Sequence, residues 1–157
     1  MKNIEYLRAT SEHLSVLVDT RVAFLSEYWG AQDEAVQQRL KEELAIYFEK
    51  AIPDKTYIAW LAKDGDTYVA NGGMVIQQRP GSFRVPDGRS AYIMNMFTLP
   101  EYRKQGIASA LLNHLIEGGK QRGISFFELH ATPDGQPVYI KQGFQLHKEP
   151  TYRKFVQ

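Results

Sequence analysis

Residues 98–112 combine residue types that suit the binding of an anion. They read Thr-Leu-Pro-Glu-Tyr-Arg-Lys-Gln-Gly-Ile-Ala-Ser-Ala-Leu-Leu, so two basic residues and Gly106 precede an amphipathic run of helical spacing. The first amides of a helix lack internal acceptors, and the helix dipole adds about half a positive charge there. Glycine lets a ligand approach these amides closely. The stretch therefore predicts a phosphate-type anion site at a helix start.

The same stretch also fits an ordinary helix start with two solvated basic residues. It lacks the Gly-x-x-x-x-Gly-Lys-Ser/Thr pattern of a P-loop and the Gly-x-Gly-x-x-Gly pattern of a dinucleotide-binding turn. A second stretch lies downstream, where Leu-His-Ala-Thr at 129–132 is followed by Pro-Val-Tyr-Ile-Lys-Gln-Gly-Phe at 137–144. The two stretches in this order are more specific than either one alone.

Together, the two stretches resemble the GCN5-related N-acetyltransferase (GNAT) superfamily. Residues 103–108 match its Q/R-x-x-G-x-G/A acyl-CoA motif, and residues 129–144 are similar to its L-x-A and Y-x-x-x-G-F segments. The close match covers about residues 92–145, and the N-terminal part agrees in its element order. The resemblance implies an enzyme that moves an acetyl group from acetyl-CoA, its co-substrate, to a primary amine, with no metal.

The resemblance also implies how acetyl-CoA is held. The strand before the helix would bond to pantetheine through its backbone, and the amides of the following turn would bind the pyrophosphate. The implied cofactor-binding residues are Met96, Phe97, Thr98, Arg103, Lys104, Gln105, Gly106, Ile107, Ala108 and Ser109. A cation is also expected at the adenosine 3′-phosphate, and the sequence leaves Lys104, Arg103 and Lys141 open for it.

Tyr139 is the predicted catalytic residue. A tyrosine in a short helix before Gly-Phe is by default a half-buried packing residue. The resemblance implies instead that it lies beside the acetyl-CoA sulfur. Acyl transfer from a thioester to an amine expels a thiolate, and a phenol in reach can protonate it, for a gain of roughly 10²–10⁴-fold. We therefore expect Tyr139 to act as a general acid.

The general base is left open by the sequence. Residues 92–97, the predicted central strand, contain no acid, and Asn95 can hydrogen-bond but cannot act as a base. Glu128 and His130 share one face of the next strand, because side chains alternate along a strand. Each also has a structural interpretation, as a solvated carboxylate and a satisfied histidine. Glu27 and a water molecule are the other candidates.

The acceptor pocket is expected where the resemblance places it, between the first two helices and a late hairpin. Its weakly predicted substrate residues are Tyr28, Trp29 and Asn95, with the 79–90 loop and residues near Tyr152 around them. Core packing of the Tyr28-Trp29 pair is the alternative. No acidic cluster marks a polyamine or aminoglycoside site, although scattered acids can converge in the fold. The resemblance implies a small-molecule or peptide amine as the acceptor.

The composition excludes several other mechanisms. The 157 residues contain 19 Lys+Arg and 18 Asp+Glu, and a formal charge of +1 gives no bulk attraction to nucleic acid or to an anionic membrane. Cysteine is absent, which excludes disulfides, zinc–thiolate sites and cysteine nucleophiles. We therefore expect direct transfer within a ternary complex rather than through a cysteine-linked acyl intermediate.

Length and hydropathy predict a single domain over residues 1–157. No stretch approaches the roughly 20 apolar residues that span a bilayer, and the N-terminus lacks the apolar core of a signal peptide. A cytoplasmic protein is expected, and a homodimer is compatible with the sequence. Because the central strand lacks an acid, a non-catalytic acyl-CoA-binding sensor or interaction module is the alternative function.

The spacing of apolar residues predicts the elements that position these groups. The fold class is α/β (α+β), a GNAT-like mixed and mostly antiparallel sheet with splayed central strands and helices on both faces. A bulge or close backbone approach is expected at Gly72-Gly73, and a mobile loop at 79–90. Predicted helices cover about 10–29, 33–52, 107–122 and 137–142, and predicted strands cover 4–8, 56–63, 68–78, 92–98, 125–131, 144–147 and 152–156.

Overall fold

The computed structural model describes residues 3–157, so Met1 and Lys2, the first two residues of the predicted domain, lie outside the described residues. Within them, no helix combines the length and apolar character needed to cross a membrane. The strands are β1 (Ile4–Arg8), β2 (Tyr57–Asp64), β3 (Thr67–Gln78), β4 (Arg89–Thr98) and β5 (Phe127–Leu129). The α-helices are α1 (Leu14–Trp29), α2 (Glu34–Asp54), α3 (Ile107–Gln121) and α4 (Gln136–Lys141).

The five strands form one sheet in the order β1-β2-β3-β4-β5. The first three pairs are antiparallel, and β4 pairs with β5 in parallel. The parallel pair is joined by the crossover helix α3, as a parallel connection requires. The predicted mixed, mostly antiparallel sheet is confirmed.

Helices cover both faces of the sheet, as predicted. Strand β2 shows why, since its alternate residues enter two different cores. Tyr57, Ala59 and Leu61 pack with α1 and α2 through residues such as Leu17 and Phe48. On the opposite face, buried residues of β2, β3 and β4 pack against Leu112 and Leu115 of α3; the strand residues are Ile58, Met74, Ala91 and Ile93.

The two predicted late strands are wrong. Residues 144–157 form neither helix nor strand, and the strand predicted at 125–131 shortens to Phe127–Leu129. Apart from Phe144, the apolar side chains that predict these strands point into solvent, with Leu146 93% and Phe155 95% exposed. A strand needs a ladder partner, and β5 pairs with β4 over only three residues. The alternation in this segment therefore has no neighbouring strand to support it.

The end of α2 also differs from the prediction. The helix was expected to stop before Pro53, but Pro53 lies inside its last turn and the helix ends at Asp54. Lys55 then takes a left-handed conformation with φ of +60°, and its amide bonds to the carbonyls of Ala51 and Ile52. The left-handed residue after the helix, rather than the proline, terminates it.

Strands β4 and β5 separate after a short pairing. The ladder runs from Ala91 opposite Phe127 to Ile93 opposite Leu129, whereas β4 continues to Thr98. Residues 94–98 of β4 thus lack a strand partner on the β5 side, within the part of the chain that the structure describes. This split confirms the predicted splayed strands.

A β-bulge lies at the start of the split. Gly73 pairs with Met94 and Asn71 with Phe97, so Asn95 and Met96 together lie opposite Gly72. The irregularity predicted at Gly72-Gly73 exists, but the extra residue belongs to β4, where Asn95 adopts a left-handed φ of +59°. A Cβ on Gly72 would overlap the Met96 sulfur, which confirms the predicted close approach.

Gly73 allows Tyr57 to pack across the same part of the sheet, which gives a stability prediction. A Cβ at Gly73 would overlap the Tyr57 hydroxyl, and Tyr57 is 1% exposed. We expect Gly73→Ala to lower the free energy of unfolding by about 1–3 kcal/mol. In a Tyr57→Phe background the same change should cost at least about 0.5 kcal/mol less, because the overlapping oxygen is gone. Urea unfolding of the four proteins in this cycle measures the difference, and additive effects would contradict it.

Candidate active site at the split between two strands

A row of backbone amides is exposed where α3 begins. Gly106 is the N-cap residue and no side chain caps the helix. The first helical hydrogen bond runs from the Ala110 amide to the Gly106 carbonyl, at 3.1 Å. The amides of residues 104–109 donate no hydrogen bond to any other part of residues 3–157. These amides and the helix dipole together form a local positive potential that fits an anion.

Two left-handed residues shape this turn. Lys104 has φ of +61° and Gly106 has φ of +83°. A Cβ on Gly106 would have no atom within 4 Å, so the backbone conformation rather than crowding requires glycine there. The open space above Gly106 leaves room for a ligand against the amides.

Arg103 ties this turn to two other elements. Its Nη2 lies 2.7 Å from Glu27 Oε2 on α1, and its Nε donates to the Thr98 carbonyl at 2.8 Å. Its guanidinium also lies over the Phe97 ring, 5.7 Å from the centroid. Arg103 therefore connects α1, the end of β4 and the turn before α3.

The ion pair changes what Glu27 and Arg103 can do. The hydrogen bond from Arg103 lowers the pKa of Glu27, which makes that carboxylate a poorer base than an ordinary glutamate. Arg103 in turn is paired with Glu27. Lys104 and Lys141 are exposed and form no ion pair within the described chain. Of the three cations left open by the sequence, Arg103 is thus the least available to a phosphate.

Tyr139 lies on α4 and is half-buried. Its ring packs edge-on against Phe144 with a centroid distance of 6.1 Å. It belongs to the same apolar cluster as Met96 of β4 and Leu129 of β5, the two strands that separate at the split. Burial raises the pKa of Tyr139, so the phenol keeps its proton at neutral pH. The packing interpretation and an acid role are both compatible with this position.

Tyr92 and His130 form a short hydrogen bond across the β4–β5 pair. The Tyr92 hydroxyl lies 2.6 Å from His130 Nδ1, and His130 Nε2 lies 3.4 Å from Thr151 Oγ1. Burial raises the pKa of Tyr92, so the phenol keeps its proton at neutral pH, and its hydroxyl donates to Nδ1 in the tautomer that carries the imidazole proton on Nε2. Glu128 sits opposite Tyr92 in the strand register. His130 is exposed, and both of its ring nitrogens lie within hydrogen-bond distance of a side-chain oxygen, which is compatible with the satisfied histidine of the sequence alternative and with a base.

A second polar network holds the bulge of β4. Asn95 is 4% exposed; its Nδ2 donates to the Tyr57 hydroxyl at 2.8 Å, and its Oδ1 accepts from Arg21 Nη1 at 2.8 Å. The structure thus places Asn95 beneath the split, with both of its side-chain groups bonded to protein. Its predicted contact with a substrate stays a prediction, and its visible contacts hold the backbone.

The family model for the acetyltransferase (GNAT) family matches residues 21–144. The chain belongs to this family. A predicted acetyltransferase from Clostridium acetobutylicum, solved with acetyl-CoA, is similar at 29% identity and a TM-score of 0.88, over 97% of this chain and 96% of that one. A GCN5-related N-acetyltransferase from Ralstonia eutropha JMP134 is similar at 25% identity and a TM-score of 0.85, over 97% and 99%.

A more distant structure shares the fold. AAC(6')-Iy, solved in complex with the bisubstrate analogue CoA-S-monomethyl-acetylneamine, has 16% identity and a TM-score of 0.72, over 98% of this chain and 99% of that one. None of the curated proteins searched is a significant match. Across residues 3–157, no group of three or more His, Cys, Asp or Glu side chains is placed to hold a metal ion.

In this GNAT chain both members of the aromatic pair are exposed, and Trp29 lines a groove. Tyr28 is 56% and Trp29 68% exposed, which contradicts the packing alternative. The groove has a volume of about 450 Å³ and lies between α1 and α2. Its lining is Val22, Leu25, Ser26, Trp29, Gln32, Val36, Gln37 and Leu40. The predicted 79–90 loop ends earlier, where β4 begins at Arg89, and neither it nor Tyr152 lines this groove.

Sequence reasoning missed three residues of the GNAT site. Tyr57 and Tyr92 looked like ordinary strand residues, and nothing in their neighbourhood marked them. Arg21 did carry a signal, because it lies four residues after Leu17 and four before Leu25, on the apolar stripe of α1. A cation on the buried stripe of a helix points to a partner on the sheet below, and that partner is Asn95.

Proposed function

We propose that this chain is an acetyl-CoA-dependent N-acetyltransferase, formed by one domain over residues 1–157, which transfers the acetyl group directly to a primary amine in a ternary complex. One observation carries the proposal: the free edge of β4 leads straight into the unpartnered amides of residues 104–109. The similar structure that was solved with acetyl-CoA supports the same ligand here.

The residues present fit acetyl-CoA. Its pyrophosphate would lie on the amides of residues 104–109, and its pantetheine arm along the backbone of Met96, Phe97 and Thr98 on the free edge. The Thr98 carbonyl already accepts a bond from Arg103. Lys104 is the cation we assign to the 3′-phosphate, because Arg103 is held by Glu27. When bound, acetyl-CoA supplies an activated thioester.

Tyr139 is proposed as the general acid. As the amine nitrogen attacks the carbonyl carbon, the carbon–sulfur bond breaks and the departing thiolate takes the phenolic proton; Tyr139 then regains a proton from solvent. Burial raises the pKa of Tyr139, and the proton is therefore present at the start of each cycle. Its place in the apolar cluster with Met96 and Leu129 puts it beside the split.

The proton of the ammonium substrate is proposed to leave through Tyr92 and His130. The substrate gives a proton to the Tyr92 oxygen while Tyr92 passes its own proton to His130 Nδ1, so a neutral amine and an imidazolium result. The 2.6 Å hydrogen bond between the Tyr92 hydroxyl and His130 Nδ1 supports this relay. Glu27 is disfavoured because its pKa is lowered. The second proton of the amine leaves to solvent as the amide forms.

Acetyl-CoA binding can be separated from fold stability at Ala108. A carboxylate on the first turn of α3 stabilises the helix by about 0.3–1 kcal/mol but repels a pyrophosphate on the same amides. We expect Ala108→Glu to fold normally and to bind acetyl-CoA at least about tenfold more weakly than the wild type. Ala108→Gln, which adds no charge, should lose much less affinity for acetyl-CoA. Ala108 is a better test than Gly106, where φ of +83° strains any other residue. Calorimetric titration and thermal unfolding give both quantities; equal affinities for wild type and Ala108→Glu would place the pyrophosphate elsewhere.

Removing one oxygen tests the general acid. Tyr139→Phe keeps the ring against Phe144, so acetyl-CoA affinity should be unchanged while kcat falls by about 10²-fold. Tyr152→Phe is the matched control, because Tyr152 is 89% exposed, and it should retain the wild-type rate. A thiol-release assay over a panel of amines measures both. Wild-type turnover in Tyr139→Phe contradicts the acid role, and tight acetyl-CoA binding without transfer to any amine favours the sensor alternative.

The relay is tested by its pH dependence. We expect His130→Gln and Tyr92→Phe each to lower kcat by about 10–100-fold at neutral pH. The loss should shrink as the pH rises, because more amine is then deprotonated in solution. His147→Gln is the control, since the one side-chain hydrogen bond of His147 within residues 3–157 is accepted from the Glu149 amide. The charged groups around Tyr92 are Arg21, Glu128 and Arg153. A loss of kcat that stays constant with pH would show that His130 supports the structure and does not accept the proton.

A further inference from the structure

Arg21 is a half-buried cation without a carboxylate partner. Its Nη1 donates to Asn95 Oδ1 at 2.8 Å, and within residues 3–157 this is its only hydrogen bond. The ion pairs of the described chain are elsewhere, at Lys50–Asp54, Arg103–Glu27 and Lys120–Glu117. Burial lowers the pKa of the guanidinium, but the group stays charged at any physiological pH. Its remaining side-chain N–H donors have no acceptor among residues 3–157.

Such an arrangement is costly for a residue with only a structural role. A charge withdrawn from water is stabilised mainly by an opposite charge and by hydrogen bonds to its donors. One amide oxygen satisfies a single donor of the guanidinium and supplies no negative charge. Arginine pairs best with planar or tetrahedral anions, which accept two parallel N–H bonds. The free donors of Arg21 are therefore suited to bind an anion from outside the chain.

The position of Arg21 connects such anion binding to the reaction. Arg21 bonds to Asn95 at the bulge where β4 leaves β5, and its charge acts on both Tyr57 and Tyr92. The Arg153 charge also acts on Tyr92, and the acid that faces it is Glu128. Two cations and one anion thus surround the phenol that we assign to the proton relay.

We propose that the acceptor amine carries an anionic group, a carboxylate or a phosphate, which Arg21 binds with help from Arg153 while the amine faces Tyr92. This inference rests on the proposed acetyl transfer and narrows its substrate to amines that carry a negative charge a short distance from the nitrogen. Neutral amines and polyamines lack such an anionic group. Asn95 then acts as a positioning residue, because it fixes the guanidinium through its Oδ1.

The experiment compares matched amines that differ in one anionic group. L-Leucine is paired with leucinamide and isoamylamine, and 2-aminoethyl phosphate with ethanolamine, each in a steady-state thiol-release assay at saturating acetyl-CoA. We expect KM to be at least about tenfold lower for the anionic member of at least one pair. The two pairs distinguish a carboxylate from a phosphate.

Two substitutions of Arg21 link that preference to the residue. Arg21→Gln should raise KM for the anionic amine by about 10–100-fold relative to KM for its neutral partner and so remove the preference. Arg21→Lys keeps the positive charge but loses the planar guanidinium with its parallel donors. This variant should retain part of the preference for the anionic amine. Arg39→Gln removes an exposed arginine from α2 and serves as the control for net charge. Thermal unfolding of each variant reports any effect on the Asn95 network.

The outcomes separate this inference from the proposed function. Equal KM values within both pairs, or an equal rise for neutral and anionic amines in Arg21→Gln, overturn the anionic acceptor and leave acetyl transfer standing. Acetylation of no amine, despite acetyl-CoA binding, overturns the proposed function and the inference with it. A lower KM for the anionic amine that is abolished in Arg21→Gln and preserved in Arg39→Gln supports Arg21 as the residue that binds the anionic group.

Discussion

The bulge at Asn95 is the constraint on which the rest of this structure depends. An extra residue in one strand bends that strand and increases its twist, and here it turns β4 away from β5 just after their last pair, Ile93 and Leu129. A non-glycine residue at φ of +59° costs up to roughly 1–3 kcal/mol, and asparagine tolerates it better than most residues. Hydrogen bonds to Tyr57 and Arg21 hold the side chain in place and offset this cost. The strain therefore persists because two neighbouring elements support it.

The consequences of the split pass along the chain to α3. Because β4 runs on alone to Thr98, the turn that follows projects beside an open edge, and the free amides of α3 lie next to free strand backbone. Arg103 fixes that turn to α1 through Glu27, and α1 also supplies Arg21 to the bulge. The same helix thus anchors both ends of the split segment of β4. This is why a protein with a formal charge of only +1 can present local cationic sites on either side of one strand.

The sequence predicted what depends on neighbours along the chain and missed what depends on register between distant segments. Gly106 and the residues beside it specify where α3 begins. The close approach at Gly72 is indicated by the residue type, because glycine has no side chain. The location of the extra residue at Asn95 could not be predicted, because it follows from the register between β3 and β4. The pairing of Arg103 with Glu27, 76 positions away, requires the packing of α1 on the sheet. The late strands failed for a related reason, since alternation at 144–157 predicts a strand only if a partner is present.

The two proposed anion contacts have different effects on the chemistry between them. The pyrophosphate on the α3 amides serves only to hold acetyl-CoA. The anionic group of the acceptor, bound to Arg21, also alters the charge beside Tyr92. Burial raises the pKa of Tyr92, and of the charges around it Arg153 and Arg21 lower that pKa whereas Glu128 raises it. An anion paired with Arg21 would offset one of the two cations, so the phenol would keep its proton more firmly while the amine lies beside it. An anionic acceptor would thus change the electrostatics of the phenol that the proposed relay uses, whereas a neutral amine in the same place would leave the charge of Arg21 unpaired.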